Sequence, residues 1–353
     1  MKKIVKKRQR CKENAVSGRI KKATSAVIAT ILLLNVASFA PDAATAKTVR
    51  LGGQPFGVRF YNSGVMVVEF EPFLCEGRYQ CPARDAGLEI NDVICKADDT
   101  PISTNEELQR AACQSGGEAL KLSVRRGDKE LVKTVLPRRA DDGVYRTGAW
   151  VRDSSAGIGT VTYYDEQNGC FAALGHGVCD RDTGALLPLG SAEVVSAEIG
   201  SVTKSSTGKA GSLNGVFCDT EIGDLTKNTV CGVFGTTNDN FPQNGAELEI
   251  ADNEEIELGK ALIYTTVDGA EPCCYEAEIT RLCDLDSQTN ENFVIKVTDD
   301  RLIRDCGGIV QGMSGSPVVQ NNKLVGAVTH VFLNSPHEGY GVTAQNMVSN
   351  YQK

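Results

Sequence analysis

The chain has 353 residues, 41% of them hydrophobic and 36 of them Gly, with a formal net charge of −8. That length holds two compact domains and an N-terminal extension, and the composition suits strands and turns better than a helical bundle. The first 22 residues carry ten Lys/Arg against one Glu, so the remainder holds the whole acidic excess; this excludes nucleic acid as the main partner, because phosphate binding needs a basic surface.

Residues 1–24 form a basic segment expected to stay in the cytoplasm, and residues 25–45 follow as a signal peptide or a membrane anchor. The apolar run Ala26–Ala40 (AVIATILLLNVASFA) has 15 residues with Asn35 inside, short of the ~20 that a spanning helix needs. Ala40, Ala43 and Ala44 offer small residues for cleavage. Either way the body is expected to be exported, as a membrane-anchored or a secreted protein. Thirteen Cys are present, and Cys11 lies before the apolar run. No paired CxxC motif occurs and the three His are not spaced as zinc ligands, so no metal is expected. The other cysteines read either as small buried apolar residues or as disulfide partners.

Residues 50–140 read as one small α+β unit. Gly52–Val58 (GGQPFGV) is a Gly-rich loop entering an extended run, Val58–Tyr61, and Asn62-Ser63-Gly64 is expected to turn the chain into Val65–Phe70. A short helix, a Gly stop and a strand led by Asp92 follow in PARDAGLEINDVI, residues 82–94. Asn105–Ser115 is a helix candidate, with Leu108, Ala111 and Ala112 at i, i+3, i+4 spacing. Leu120–Val124 and Leu131–Leu136 are strands joined through an Arg126-Gly127-Asp128 turn. This order resembles a PDZ domain. In that resemblance Phe56, Gly57 and Val58 stand where backbone N–H groups hold a peptide C-terminal carboxylate, with the ligand adding as a strand beside Val58–Tyr61. The competing reading is a spacer that binds nothing.

Residues 141–353 carry the chemistry. In Ala173–Asp180 (ALGHGVCD) an apolar strand ends in His176, flanked by two Gly that let the backbone turn sharply. In Gly307–Val319 (GGIVQGMSGSPVV) a turn rich in small residues displays Ser314 and Ser316 before an apolar strand. A nucleophilic Ser needs this shape: a hydroxyl on a tight turn, with backbone N–H groups aimed at an oxyanion. The Gly312 and Ser314 amides are expected to supply those donors. Ser314 is preferred as nucleophile because Pro317 forces Ser316 into an extended conformation. His330 is a rival base, read as structural or as a cleft wall. His337 stands in a loop beside Pro336.

The stretches GGQPFGVRFYNSGVMVV, ALGHGVCD and GGIVQGMSGSPVVQNNKLVGAVTHVF resemble the stage IV sporulation protein B family, PDZ-containing serine peptidases of endospore-forming bacteria. The resemblance implies a mainly β fold: a chymotrypsin-like double β-barrel over residues 141–353, preceded by the PDZ domain and the N-terminal membrane or signal segment. It implies a triad of His176, Ser314 and Asp299, the last lying 15 residues before the nucleophile. Ordinary chymotrypsin-like enzymes carry the acid nearer the His, and Asp300, Asp219 and Asp224 remain open as alternatives. No cofactor is implied. The resemblance also implies export into the space between forespore and mother cell, self-cleavage, and cleavage of a regulatory subunit of an intramembrane protease complex. The rival from another class is an adaptor led by its PDZ domain, with an inactive peptidase body.

Overall fold

The computed structural model describes residues 47–352. The basic segment 1–24 and the apolar segment 25–45 lie outside the described residues. No described helix is long and apolar enough to cross a membrane.

The elements run in chain order as β1 (Thr48–Leu51), β2 (Pro55–Phe70), β3 (Phe73–Cys75), β4 (Arg78–Gln80), α1 (Pro82–Asp85), β5 (Val93–Ala97), β6 (Thr100–Pro101), α2 (Asn105–Gln114), β7 (Leu120–Arg126), β8 (Lys129–Val135), β9 (Arg138–Arg139) and β10 (Tyr145–Arg146). There follow β11 (Ala149–Asp165), β12 (Cys170–Ala173), β13 (Leu189–Thr203), β14 (Ser212–Thr229), β15 (Gly232–Thr237), β16 (Glu247–Ile250), β17 (Gly259–Thr265), β18 (Cys273–Leu282) and β19 (Phe293–Val297). Then come α3 (Asp300–Cys306), β20 (Pro317–Gln320), β21 (Lys323–Phe332), β22 (Ser335–Thr343) and α4 (Ala344–Gln352).

Two closed antiparallel barrels result. In the first, β11 pairs with β2, β2 with β13, β13 with β14, β14 with β15, β15 with β12, and β12 returns to β11. In the second, β17 pairs with β18, β18 with β19, β19 with β22, β22 with β21, β21 with β20, and β20 returns to β17. Closure leaves no free sheet edge around either ring. Alternation builds the cores: along β17 and β18, Ala261, Ile263, Tyr275, Ala277 and Ile279 point inward between exposed or half-buried neighbours. Phe56, Phe60, Phe171, Val194 and Ile222 fill the first barrel. Val49, Tyr163 and Phe234 meet Leu324, Val342 and Met347 at the seam between the barrels. The double barrel is the architecture that the family resemblance implies.

The PDZ unit packs Val67, Leu88, Ile94, Leu108, Leu122 and Val135 around α2. Thr104 and Glu107 close a capping box at the start of that helix. The Gly127-Asp128 turn joins β7 to β8 as expected, with Arg126 opposite Lys129. Buried Asp92 accepts from Arg126 and from the Glu89 amide. All twelve cysteines among the described residues are free thiols.

One expectation fails. Asn62-Ser63-Gly64 does not turn the chain: β2 runs unbroken from Pro55 to Phe70. Its front half belongs to the first barrel, with Gly57 opposite Ile158 on one side and Val195 on the other. Its rear half belongs to the PDZ unit, where Ala149–Arg152 of β11 pairs with Phe70–Met66. Partners far along the chain hold the expected turn extended. The Asn62 side chain donates to the Arg152 carbonyl at 3.1 Å, and the Ser63 amide to the Pro188 carbonyl at 3.2 Å. Phe56, Gly57 and Val58 are therefore buried mid-strand residues, and both edges beside Val58–Tyr61 are already paired. They do not form an open loop for a peptide carboxylate. In the PDZ unit β11 lies beside Val67 and Glu69, so the strand flanking the rear of β2 comes from beyond residue 140.

A Cβ on Gly57 would lie 2.6 Å from the Phe217 ring and 2.9 Å from the Val195 side chain. Gly57→Trp should therefore overpack the first barrel and lower the stability of the whole body by about 1–3 kcal/mol, read as a fall in urea midpoint together with lost activity. An unchanged midpoint with loss of peptide binding alone would restore the open-loop assignment.

Candidate active site

The second barrel carries the candidate nucleophile, Ser314. α3 ends at Gly307, which adopts a left-handed φ of 75°, and the chain then winds through Ile309–Ser316 into β20. Gly315 sits at φ 95°, and a Cβ there would lie 2.0 Å from the Thr160 carbonyl oxygen and 2.5 Å from the Leu174 nitrogen. Only Gly fits where the two barrels touch so closely. The Ser314 hydroxyl donates to the Thr329 carbonyl at 2.8 Å. Among the described residues, neither the Gly312 amide nor the Ser314 amide has an acceptor. Ser316 is fully buried, its hydroxyl has no partner among the described residues, and it does not line the cleft.

The first barrel carries the candidate base, His176. After β12 come Leu174 and Gly175, both left-handed at φ 66° and 68°, and this double reversal precedes His176. A non-Gly residue there stores strain, and Leu174 is held by its buried side chain and by its amide bond to Thr160. His176 Nδ1 lies 2.8 Å from the Gly177 carbonyl. That contact assigns the proton to Nδ1 and leaves the Nε2 lone pair open, which is the tautomer a general base needs. Burial pushes the His176 pKa down to about 4, the Gly177 contact opposes this, and His330 adds to it. The two imidazoles stack with centroids 4.8 Å apart at 31°. His176, His330 and Ser314 line one cleft of about 630 Å³, walled by Ile158 and Leu174 from the first barrel and Ile309 and Val331 from the second.

The acid is where sequence and structure part. Asp299 caps α3: its carboxylate accepts from the Arg301 amide at 2.9 Å, the Arg301 guanidinium at 2.8 and 3.1 Å, and the Glu276 amide at 3.2 Å. The Arg301 hydrogen bond holds this carboxyl well below the usual carboxylate range. None of these bonds is to His176, and Asp299 does not line the cleft. Nor do Asp300, Asp219 or Asp224, all of them exposed. The carboxylate in the cleft wall is Asp180, which sequence reasoning passed over inside the GHGVCD block. It is buried, pairs with Arg152 at 3.0 Å, and accepts from the Asp182 and Thr183 amides, so it anchors the loop after His176.

Comparison with known proteins gives the following. The family model for the SpoIVB peptidase S55 matches residues 143–348, and the PDZ domain model matches residues 57–136. A Clostridium perfringens protein described as a zinc metalloprotease is 31% identical over 67 residues, 19% of this chain and 20% of its own length; the chain thus spans about a fifth of the curated relative it matches. Among solved structures, the inactive form of the M. tuberculosis Rv3671c protease aligns with a TM-score of 0.34 at 13% identity, over 55% of this chain and 83% of that one. The HtrA-type protease AlgW with a tripeptide aligns with a TM-score of 0.34 at 11% identity, over 56% of each chain.

The two imidazoles are separable by substitution. His176→Ala should abolish turnover of an unfolded casein, whereas His330→Ala should retain it; the reverse result would move the base to His330. Asp299→Asn keeps a helix cap and should leave turnover standing with a small loss of thermal midpoint. A loss of about 10⁴ in kcat with an intact fold would instead mark it as the triad acid.

The pH dependence follows from the base. With a folded pKa of about 4 against an ordinary 6.5, the neutral ring persists well below pH 6. The acid limb of kcat/KM should fall near pH 4, and a limb at 6.5 would show that the ring is not buried in the working enzyme. The same shift makes the unfolded chain bind the proton first, so stability is full above pH 6.5 and declines as pH drops from 6.5 toward 4.

Proposed function

The chain belongs to the SpoIVB peptidase S55 family, and from that premise we propose that it is a serine endopeptidase with Ser314 as nucleophile and His176 as general base. The observation that carries this reading is the convergence of both groups in one cleft, beside two backbone amides without acceptors. The Ser314 hydroxyl turns from the Thr329 carbonyl toward His176 Nε2, attacks the scissile carbonyl, and passes its proton to the imidazole. The carbonyl oxygen, now negative, is held by the Gly312 and Ser314 amides. The imidazolium then gives its proton to the leaving amine, and a water molecule repeats the sequence to release the acyl group. The Gly177 carbonyl keeps the ring oriented throughout.

For the biological setting, family membership supports a role in sporulation signalling. The protein would act after export, anchored or secreted between forespore and mother cell, where it would cleave itself and a regulatory subunit of an intramembrane protease complex. The basic-then-apolar order of residues 1–45 supports the export step. The PDZ domain match supports binding of protein or peptide partners.

The test compares the full chain with Ser314→Ala and Ser316→Ala. Wild type and Ser316→Ala should hydrolyse unfolded casein and cleave themselves, and Ser314→Ala should do neither. A folded wild type with no Ser314-dependent turnover would favour the adaptor reading.

A further inference from the structure

The turn from Val310 to Gly315 satisfies each of its six carbonyls. Val310 accepts from the Met313 amide at 3.1 Å, Gln311 from the Leu213 amide at 2.8 Å, and Met313 from the Ser316 amide at 2.9 Å. Ser314 accepts from the Thr160 amide at 3.0 Å. Gly312 and Gly315 accept from side chains, the Thr160 and Thr162 hydroxyls, each at 2.8 Å. Three N–H groups of the turn, on Val310, Gly312 and Ser314, have no acceptor among the described residues, and all three residues line the cleft.

Thr160 recurs in this pattern. It is 1% exposed and lies on β11 in the first barrel, yet its hydroxyl and its amide both reach across to the nucleophile turn of the second barrel. Its own carbonyl accepts the Leu174 amide at 3.2 Å, two residues before His176. A single residue therefore bonds both the turn that carries Ser314 and the turn that carries His176. Gly312, at φ 98°, is where backbone conformation is least self-determined, because glycine lacks the Cβ that would restrict it. The Thr160 hydroxyl is the group that fixes its carbonyl.

We propose that Thr160 is a positioning residue for the peptidase reaction: its hydroxyl sets the conformation of Gly312 so that the oxyanion donors are aimed before substrate arrives. The inference rests on the serine peptidase reading above. Without the hydroxyl, the half-buried Gly312 carbonyl is left without its protein partner, an unfavourable state. Rotation of the 312–313 peptide relieves it and disturbs the aim of the neighbouring amides. Such a change weakens transition-state binding and leaves the cleft walls that hold the ground-state peptide as they were.

The experiment measures kcat and KM of the full chain on fluorescein-labelled unfolded casein for wild type, Thr160→Ser, Thr160→Cys and Thr160→Val, with thermal midpoints alongside. Removing an oxyanion donor outright costs about 10²–10³ in kcat, so Thr160→Val, which only misaims it, should lose about 10–100-fold with KM within about twofold. Thr160→Ser keeps the hydroxyl and should recover kcat. Thr160→Cys, with a weaker donor of similar shape, should fall between, and it carries the test if the Val variant does not fold. As a control, Thr265→Val removes a buried hydroxyl that has no partner among the described residues and should leave kcat unchanged. A wild-type kcat in Thr160→Val or Thr160→Cys overturns the assignment, as does a loss confined to KM or a Thr160→Ser variant as slow as Thr160→Val. If wild type itself shows no Ser314-dependent turnover, the peptidase reading falls and takes this role with it. That outcome is distinct from an active wild type that is insensitive to Thr160.

Discussion

Buried backbone N–H and C=O groups must be paired, and along β2 and β11 this demand is met by one antiparallel ladder running from Phe70 and Ala149 to Pro55 and Thr160. The ladder begins in the PDZ unit and ends at the catalytic turns. Its far end lies where Thr160 bonds to the Ser314 and Gly312 carbonyls. Neither strand can slip by one residue without turning its inward side chains outward: Phe56, Val58 and Phe60 of β2 and Val161 of β11 would leave the core of the first barrel. The register that fills the barrel therefore also fixes where the nucleophile turn is held. For the same reason the PDZ unit and the peptidase body share strands instead of being joined by a linker, and a change at Gly57 is felt in the barrel.

The site is assembled from residues that each need the other barrel. Gly315 requires the Thr160 carbonyl to be close, and the left-handed Leu174 is tied to the same residue. Strain of this kind persists only where the surrounding structure over-determines it. Here the surroundings are two rings of strands with no open edge, and a seam filled by Tyr163, Phe234, Leu324 and Val342. Local conformations that would be unfavourable in an isolated turn are held by packing on both sides.

Much of this was legible in the sequence. His176 and Ser314 announce themselves through local chemistry, because a functional side chain on a sharp turn needs small neighbours, and those neighbours are adjacent in the chain. The barrels were reached through the family resemblance, although the alternation in Ala261, Ile263, Tyr275 and Ala277 agrees with them. What failed depended on distant partners. Asn62-Ser63-Gly64 has the composition of a turn, but Arg152 and Pro188 hold it extended, and nothing near residue 62 signals either. Asp299 is a different case. Its strongest partner, Arg301, lies two residues away, and a carboxylate just before a helix, with Arg in the first turn, is a local capping pattern that could have been read. A role carried over from a resemblance took precedence over it.

In the proposed site the resting contact of Ser314 and the burial of His176 favour the same uncharged state. The Ser314 hydroxyl rests on the Thr329 carbonyl at 2.8 Å, and burial, which pushes the His176 pKa down to about 4, penalises the imidazolium. Burial thus disfavours proton transfer in the empty cleft and keeps Ser314 a neutral alcohol. During attack the balance changes: negative charge grows on the substrate oxygen near the Gly312 and Ser314 amides, and a positive imidazolium nearby becomes favourable in the low-dielectric cleft. The base is thereby weak until the transition state supplies the charge that strengthens it. In the proposed mechanism the aim of the Gly312 and Ser314 amides therefore matters alongside the resting basicity of His176.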